Sequence, residues 1–147
     1  MSRIISKVDT GSAQYKLNDA AMRQRVQELH DRLHQARHER PQRDIDRLHK
    51  HKKLTVRERL DLLLDPGTPF LELSGLAANK AYGGDVHGAG QVSGIGIVHG
   101  REVIIHADDP SIKGGAWYPL SIKKIVRTLD IAIENRLPVI HLCDSAG

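Results

Sequence analysis

The chain reads as an α/β protein, and three observations predict that class. Val103-Ile104-Ile105 and Val139-Ile140-His141-Leu142-Cys143 are short β-branched, apolar runs of the kind that form buried strands. Between them, Ile122, Ile125, Val126, Leu129, Ala132 and Ile133 recur at spacings of three and four, one apolar helix face. Ahead of them, Gln91 to Val98 alternates cleanly and reaches Val103 through the tight turn His99-Gly100-Arg101-Glu102, the pattern of a hairpin. Two strands joined by a long helix make a βαβ unit, usually right-handed and parallel.

In chain order, residues 1–17 read as an irregular tail, with a break at Gly11-Ser12. Asn18 or Asp19 then caps a helix whose seam is Met22, Val26, Leu29, Leu33 and Ala36. A seam that narrow suits packing against one helix or the flank of a body, and it is too short for a coiled coil. His30, His34 and His38 lie four apart on it, a spacing that lets two histidines share a metal. No second ligand cluster accompanies them, so they read as imidazoles on a solvated edge. Pro41 ends or kinks the helix, a short helix follows over Asp44–Lys50, and His49–Lys53 is a basic linker. Residues 18–53 thus form a basic helical arm.

Thr55 and Glu58 form a capping box for a helix with Leu60, Leu63 and Leu64 on one face, stopped by Asp65-Pro66-Gly67. Pro69–Leu73 reads as a strand, and glycine-rich Ala77–Ala89 as a mobile loop. Gly94 and Gly96 precede no helix, so they are no dinucleotide fingerprint and instead permit close packing. Pro119 precedes the long helix, with Ser121 as its N-cap, and Pro138 closes it. Cys143 falls in the last strand and reads as an inert core thiol.

The 147 residues carry a net charge of +4, split between +7 over residues 1–59 and −3 over the rest. Such an arm meets anions, either a partner surface or phosphates. Nucleic acid is disfavoured, because the basic residues alternate with acids and Tyr15 is the arm's single aromatic. No apolar stretch approaches the roughly 20 residues of a membrane span. The start lacks a secretory apolar core, and Asp9 and Asp19 argue against a mitochondrial presequence, so the expectation is a cytoplasmic protein. One cysteine excludes an internal disulfide.

Three collinear stretches carry a resemblance. LTVRERLDLLLDPGTPFLEL, VSGIGIVHGREVIIHADD and KGGAWYPLSIKKIVRTLDIAIENRLPVIHLCDSAG resemble the opening of the carboxyltransferase (beta) subunit of biotin-dependent acyl-CoA carboxylases, and are most similar to the 3-methylcrotonyl-CoA type. The resemblance covers roughly residues 50–147. It implies a crotonase-like fold of stacked ββα units, here an incomplete superhelix over residues 54–147 behind the helical arm. It also implies transfer of the carboxyl group of carboxybiotin to an acyl-CoA thioester through an enolate whose oxyanion is held by backbone N–H groups. The implied cofactor is biotin on a partner subunit or domain, with no catalytic metal in this subunit. The implied partners are the acyl-CoA substrate, a biotin carboxylase or biotin carrier, and further carboxyltransferase subunits.

Loops at the carboxyl ends of parallel strands hold ligands, here Asp108–Tyr118 and Asp144–Gly147. Lys113, Gly114 and Gly115 are the expected CoA contacts, because glycines let a backbone approach closely, a helix N-terminus favours phosphate, and Lys113 supplies charge. Ser145, Ala146 and Gly147 belong to the loop that the family writes as DSGG and that borders the acyl pocket. Ala146 stands for the first glycine of that pair and narrows the space for a ligand. Trp117 and Tyr118 either line the cleft or pack beside the turn, and Lys123 and Lys124 read as solvated. Arg57 and Arg59 match the family's RER, either as functional residues or in helix-surface ion pairs. No residue is assigned a catalytic role, since the downstream oxyanion segment and second domain of the family lie beyond residue 147, and the chain alone is expected to be inactive. The alternatives are a biotin-dependent acyl-CoA decarboxylase subunit and a non-catalytic docking module or remnant.

Overall fold

The computed structural model describes residues 5–145. Helix α1 spans Ala13–His38, α2 Gln42–Lys50 and α3 Val56–Leu63. Strand β1 (Leu71–Leu73) leads to the hairpin β2 (Gln91–Val98) and β3 (Arg101–Asp108), then α4 (Pro119–Asn135) and β4 (Val139–Leu142). The sheet runs β1-β2-β3-β4, antiparallel except for the β3–β4 pair, which is parallel as the crossover requires. This is the ββα unit of a crotonase-like α/β fold behind a helical arm.

Register sorts the sheet's residues into two faces, because side chains alternate along each strand. Val92, Val103, Ile105 and Ala107 pack with Val56 and Leu60 of α3, sealed by Leu63, Leu64, Phe70, Val98, Ile140 and Leu142. Gly94 and Gly96 sit on this face because an added Cβ on either would collide with Phe70 or Leu64. The Thr55–Glu58 capping box forms as expected, with Glu58 held at a pKa of about 2 by its bond to His49 and by the Thr55 amide and hydroxyl.

Helix α4 covers the other face in an unexpected way. Its packed side chains are Ser121, Lys124, Thr128 and Ala132, set against Ile104 and a polar group on β2 and β3. Of the six periodic apolar residues, Ala132 is buried and Ile125 half-buried, whereas Ile122, Val126, Leu129 and Ile133 point outward, 39% to 76% exposed. Periodicity locates a helix's apolar stripe and says nothing about which layer will cover it.

Several boundaries differ from the sequence reading. Helix α1 starts at Ala13, because Ser12, rather than Asn18 or Asp19, accepts from the Tyr15 amide. Asp19 bonds Arg23 at 2.7 Å and Asn18 bonds Gln14 at 2.9 Å, pairs one helical turn apart that suit helix interiors. Along the seam, Ala36 is buried while Met22, Val26 and Leu29 are exposed. Tyr118, rather than Ser121, caps α4, with Pro119 as its first helical residue. Strand β3 runs on to Asp108, paired with Gln91. Cys143 is exposed, because β4 ends at Leu142 and leaves it just past the end of an edge strand.

Candidate functional site

The site grows from the carboxyl end of β3. Asp109, 1% exposed, accepts from Arg40 Nε and Nη2 at 3.1 and 3.0 Å and from the Ser111 amide at 3.0 Å, and Ser111 Oγ donates to it as well. The turn Lys113–Gly115 follows, with φ of 48°, 67° and 77° at its three residues. Gly115 rests directly on the other loop: an added Cβ would overlap the Asp144 carbonyl oxygen and lie 3.1 Å from Ser145 Cα. Asp144 is fixed in turn, its amide donating to Asp108 Oδ2 at 3.1 Å and its carboxylate accepting from Lys53 at 2.6 Å.

The fold thus brings Lys113, Gly114, Gly115 and Ser145 together. Ala146 and Gly147 lie outside the described residues. Gly114 lines two cavities. One, about 420 Å³, lies toward the arm and is bordered by Arg40, Arg43, Arg47, His87 and Lys113. The other, about 320 Å³, is mostly apolar and is bordered by Leu48, Pro110, Asp144 and Ser145. Arg40 is committed to Asp109, and Arg47 bonds Asp44 at 3.2 Å. The exposed cations of this cavity are Arg47, Arg43, 3.7 Å from Asp44, and Lys113, 3.7 Å from Asp85. The N-terminus of α4 is partly occupied: the Leu120 amide donates to the Tyr82 hydroxyl at 3.2 Å, and the Tyr118 amide to Ser121 Oγ at 3.0 Å. Tyr118 itself packs on Tyr82, ring centroids 4.7 Å apart.

Beneath the turn lies a polar floor that sequence reasoning missed. His106 and Asp108 are neighbours on one face of β3, and parallel register sets His141 beside His106. Trp117 Nε1 donates to Asp108 Oδ1 at 2.8 Å, and Ser93 Oγ meets His106 Nδ1 at 2.8 Å. The Gln91 amide, turned to suit its neighbours, donates to the Ser121 carbonyl at 3.1 Å and accepts from Trp117 Nε1 and His106 Nε2 at 3.2 and 3.3 Å. Burial, and then the neighbouring His141, push His106 down to about 4, so its ring is neutral at neutral pH. The signal was present in the sequence: once the hairpin is aligned, period two puts Gln91, Ser93, His106 and Asp108 on one face.

Two further charges behave differently from their sequence reading. Lys124 is not solvated but 4% exposed, donating to the Gly88 and Gln91 carbonyls at 2.9 and 2.7 Å. Burial lowers it to about 8, with Glu72 opposing and Arg57 adding to the shift. With Ser121, which donates to the Ala89 carbonyl at 2.7 Å, it pins the end of the Ala77–Ala89 loop, where Gly88 and Ala89 are buried. Arg57 makes no helix-surface pair of the kind left open above; it grips Glu72 of β1 with two bonds of 3.0 Å, and Arg37 of α1 adds a third at 3.1 Å. Arg59 buries Nη1 without a partner among the described residues.

A ββα unit with a glycine turn after β3 agrees with the resemblance carried by the sequence, and comparison with known proteins shows the family. The carboxyl transferase domain family matches residues 47–147, and the chain belongs to that family. It is 46% identical over 143 residues to the probable methylcrotonoyl-CoA carboxylase beta chain, mitochondrial, of Drosophila melanogaster, spanning 97% of this chain and 25% of that one. It is 53% identical over 95 residues to the biotin-dependent 3-methylcrotonyl-coenzyme A carboxylase beta1 subunit of Mycobacterium tuberculosis, 65% of this chain and 18% of that one. Among solved structures, the P. aeruginosa geranyl-CoA carboxylase beta subunit superposes with a TM-score of 0.70 at 37% identity, covering 98% of this chain and 27% of that one. The transcarboxylase 12S core superposes with a TM-score of 0.73 at 30% identity, covering 86% and 26%. The chain spans about a quarter of the length of the Drosophila relative. Among the described residues, no helix is long and apolar enough to cross a membrane.

Proposed function

We propose that this chain forms the acyl-CoA side of a carboxyltransferase in a biotin-dependent carboxylase acting on 3-methylcrotonyl-CoA or a close analogue. The observation that carries this reading is the seating of Gly115 on Asp144, which joins a cationic cavity to an apolar one across Gly114. Lys113, a mobile point charge, and Arg43, a planar fork of donors, face the CoA phosphates. The backbone of Gly114 and Gly115 lets the pantetheine arm pass closely, and Ser145, Ala146 and Gly147 border the acyl group. The chain's chemical task is to bind and orient the thioester. Its acyl carbon loses a proton to give an enolate and takes the carboxyl group from the nitrogen of carboxybiotin, and that nitrogen ends with the proton; carboxybiotin is a substrate delivered by a biotin carrier associated with a biotin carboxylase.

The described residues suit phosphates and a thioester, and none is assigned to the biotin ring. Turnover therefore draws on further protein that supplies the oxyanion donors and the biotin half. The outward stripe Ile122, Val126, Leu129 and Ile133 supports such a further layer, since an apolar stripe of that length marks an interaction surface. Other carboxyltransferase subunits, in a homo-oligomer, belong to the same proposal. The test is ATP- and bicarbonate-dependent carboxylation by the protein isolated with its associated subunits. Labelled carbonate entering 3-methylcrotonyl-CoA faster than propionyl-CoA supports the reading. Equal or absent incorporation with both, in a preparation that contains biotin, refutes it.

A further inference from the structure

The polar floor under the turn holds a feature that thioester binding does not use. Asp108 is 1% exposed, and the donors that reach it, Trp117 Nε1 and the Asp144 amide, are both neutral. A carboxylate buried among neutral groups calls for a cation, because dipoles only partly replace the lost hydration of a full charge. Arg40, between α1 and α2, is spent on the adjacent Asp109. The group with charge to offer is His141, whose Nε2 is 3.9 Å from Asp108 Oδ2 and carries charge only when protonated.

We propose that His106, Asp108 and His141 together bind one divalent transition-metal ion, with zinc as the ion that suits two imidazoles and a carboxylate. Their donor atoms all lie within 4.8 Å of one another. Ligand bonds of about 2.0–2.2 Å in tetrahedral geometry place donors about 3.3–3.6 Å apart, so the widest pair closes by up to about 1.5 Å. His141, at the open sheet edge with its side chain 31% exposed, supplies that movement through its torsions. The supporting groups are those that metal-binding imidazoles use elsewhere: Ser93 Oγ holds His106 Nδ1 at 2.8 Å, and Nε2, 3.3 Å from the turned Gln91 oxygen, exchanges that long bond for the ion. Trp117 stacks on His141 with centroids 6.1 Å apart and shields the trio from one side. Solvent at the His141 edge gives the ion a fourth, water ligand.

The ion's role is structural. It neutralises Asp108, whose Oδ2 holds the Asp144 amide, and Asp144 carries the seat of Gly115. The cation thereby stiffens the floor of the turn without touching the thioester. Its existence is independent of which acyl-CoA the protein uses.

Cobalt(II) titration of the full chain, apo after chelation, tests the site by d–d absorption and by calorimetric competition with zinc. The proposal expects one ion per chain in the tetrahedral absorption class, with His141→Gln and Asp108→Asn each weakening binding at least tenfold while circular dichroism stays native. A triple His30→Gln, His34→Gln, His38→Gln variant and Cys143→Ser are expected to bind as the parent does. Absent binding, binding unchanged in His141→Gln, or binding lost with the α1 histidines overturns it. Should Asp108→Asn fail to fold, His141→Gln alone decides, because its side chain is partly exposed.

Discussion

Gly115 and Asp144 make the contact on which the site depends: the glycine has no side chain where the Asp144 carbonyl oxygen stands, and its φ is +77°. Gly115→Ala therefore meets both a backbone penalty and an overlap with main chain. The left-handed conformation costs about 1–2 kcal/mol and overpacking about 1–3 kcal/mol. Urea unfolding is expected to show a combined loss of about 2–5 kcal/mol, while Gly67→Ala, where nothing stands within 4 Å, pays the backbone penalty alone.

Glu72 ties three segments together by accepting from Arg57 of α3 and Arg37 of α1 while standing on β1. Burial works against its ionisation, but the bonds and charge of Arg57, helped by Arg37, outweigh it and keep the carboxyl below its ordinary value of 4.5. The stabilisation is therefore whole above pH 4.5 and fades as pH falls through the lowered value. Arg57→Ala leaves a mostly buried carboxylate short of its main partner and is expected to cost about 3 kcal/mol at neutral pH. That cost shrinks in unfolding curves taken at progressively lower pH.

Lys124 gives the opposite slope. Its folded value, near 8, lies below the ordinary 10.5, so between those pH values the unfolded chain holds a proton that the folded chain has lost. Stability rises with pH across that window and is flat in this respect below it. Lys124→Met removes the rise and frees the Val86–Gln91 loop, so amide exchange there is expected to quicken.

The stripe on α4 is exposed in this unit. Val126→Lys with Ile133→Lys is expected to leave its unfolding free energy within about 0.5 kcal/mol, as for ordinary surface changes. The same pair abolishes association with whatever layer covers the stripe, measured as a loss of high-mass species in sedimentation.

The fold class, the hairpin and the α3 capping box were legible because each rests on local rules: alternation, turn chemistry and a Thr-to-Glu spacing of three. The helix α1 start was misplaced because Ser12, Asn18 and Asp19 all have capping side chains, and composition cannot rank them. Lys124 was misread because a lysine's sequence neighbours do not reveal carbonyls 33 and 36 residues away. His141 was hidden for a similar reason: its place beside His106 needs the parallel register of β3 and β4. Outward packing of the α4 stripe was beyond periodicity, which gives a face without its partner. The turn Lys113–Gly115 was found from its glycines and the strand before it; its seat on Asp144 needed three dimensions.

Trp117, the chain's single tryptophan, follows that turn and allows the central claim to be measured directly. Its fluorescence is to be followed while 3-methylcrotonyl-CoA, and separately CoA, is added to the protein. The account predicts saturable changes for both, weakened at least fivefold by Lys113→Glu and by Arg43→Glu and reduced by added salt. No change on addition, or equal affinity in parent and both charge-reversed variants, contradicts it.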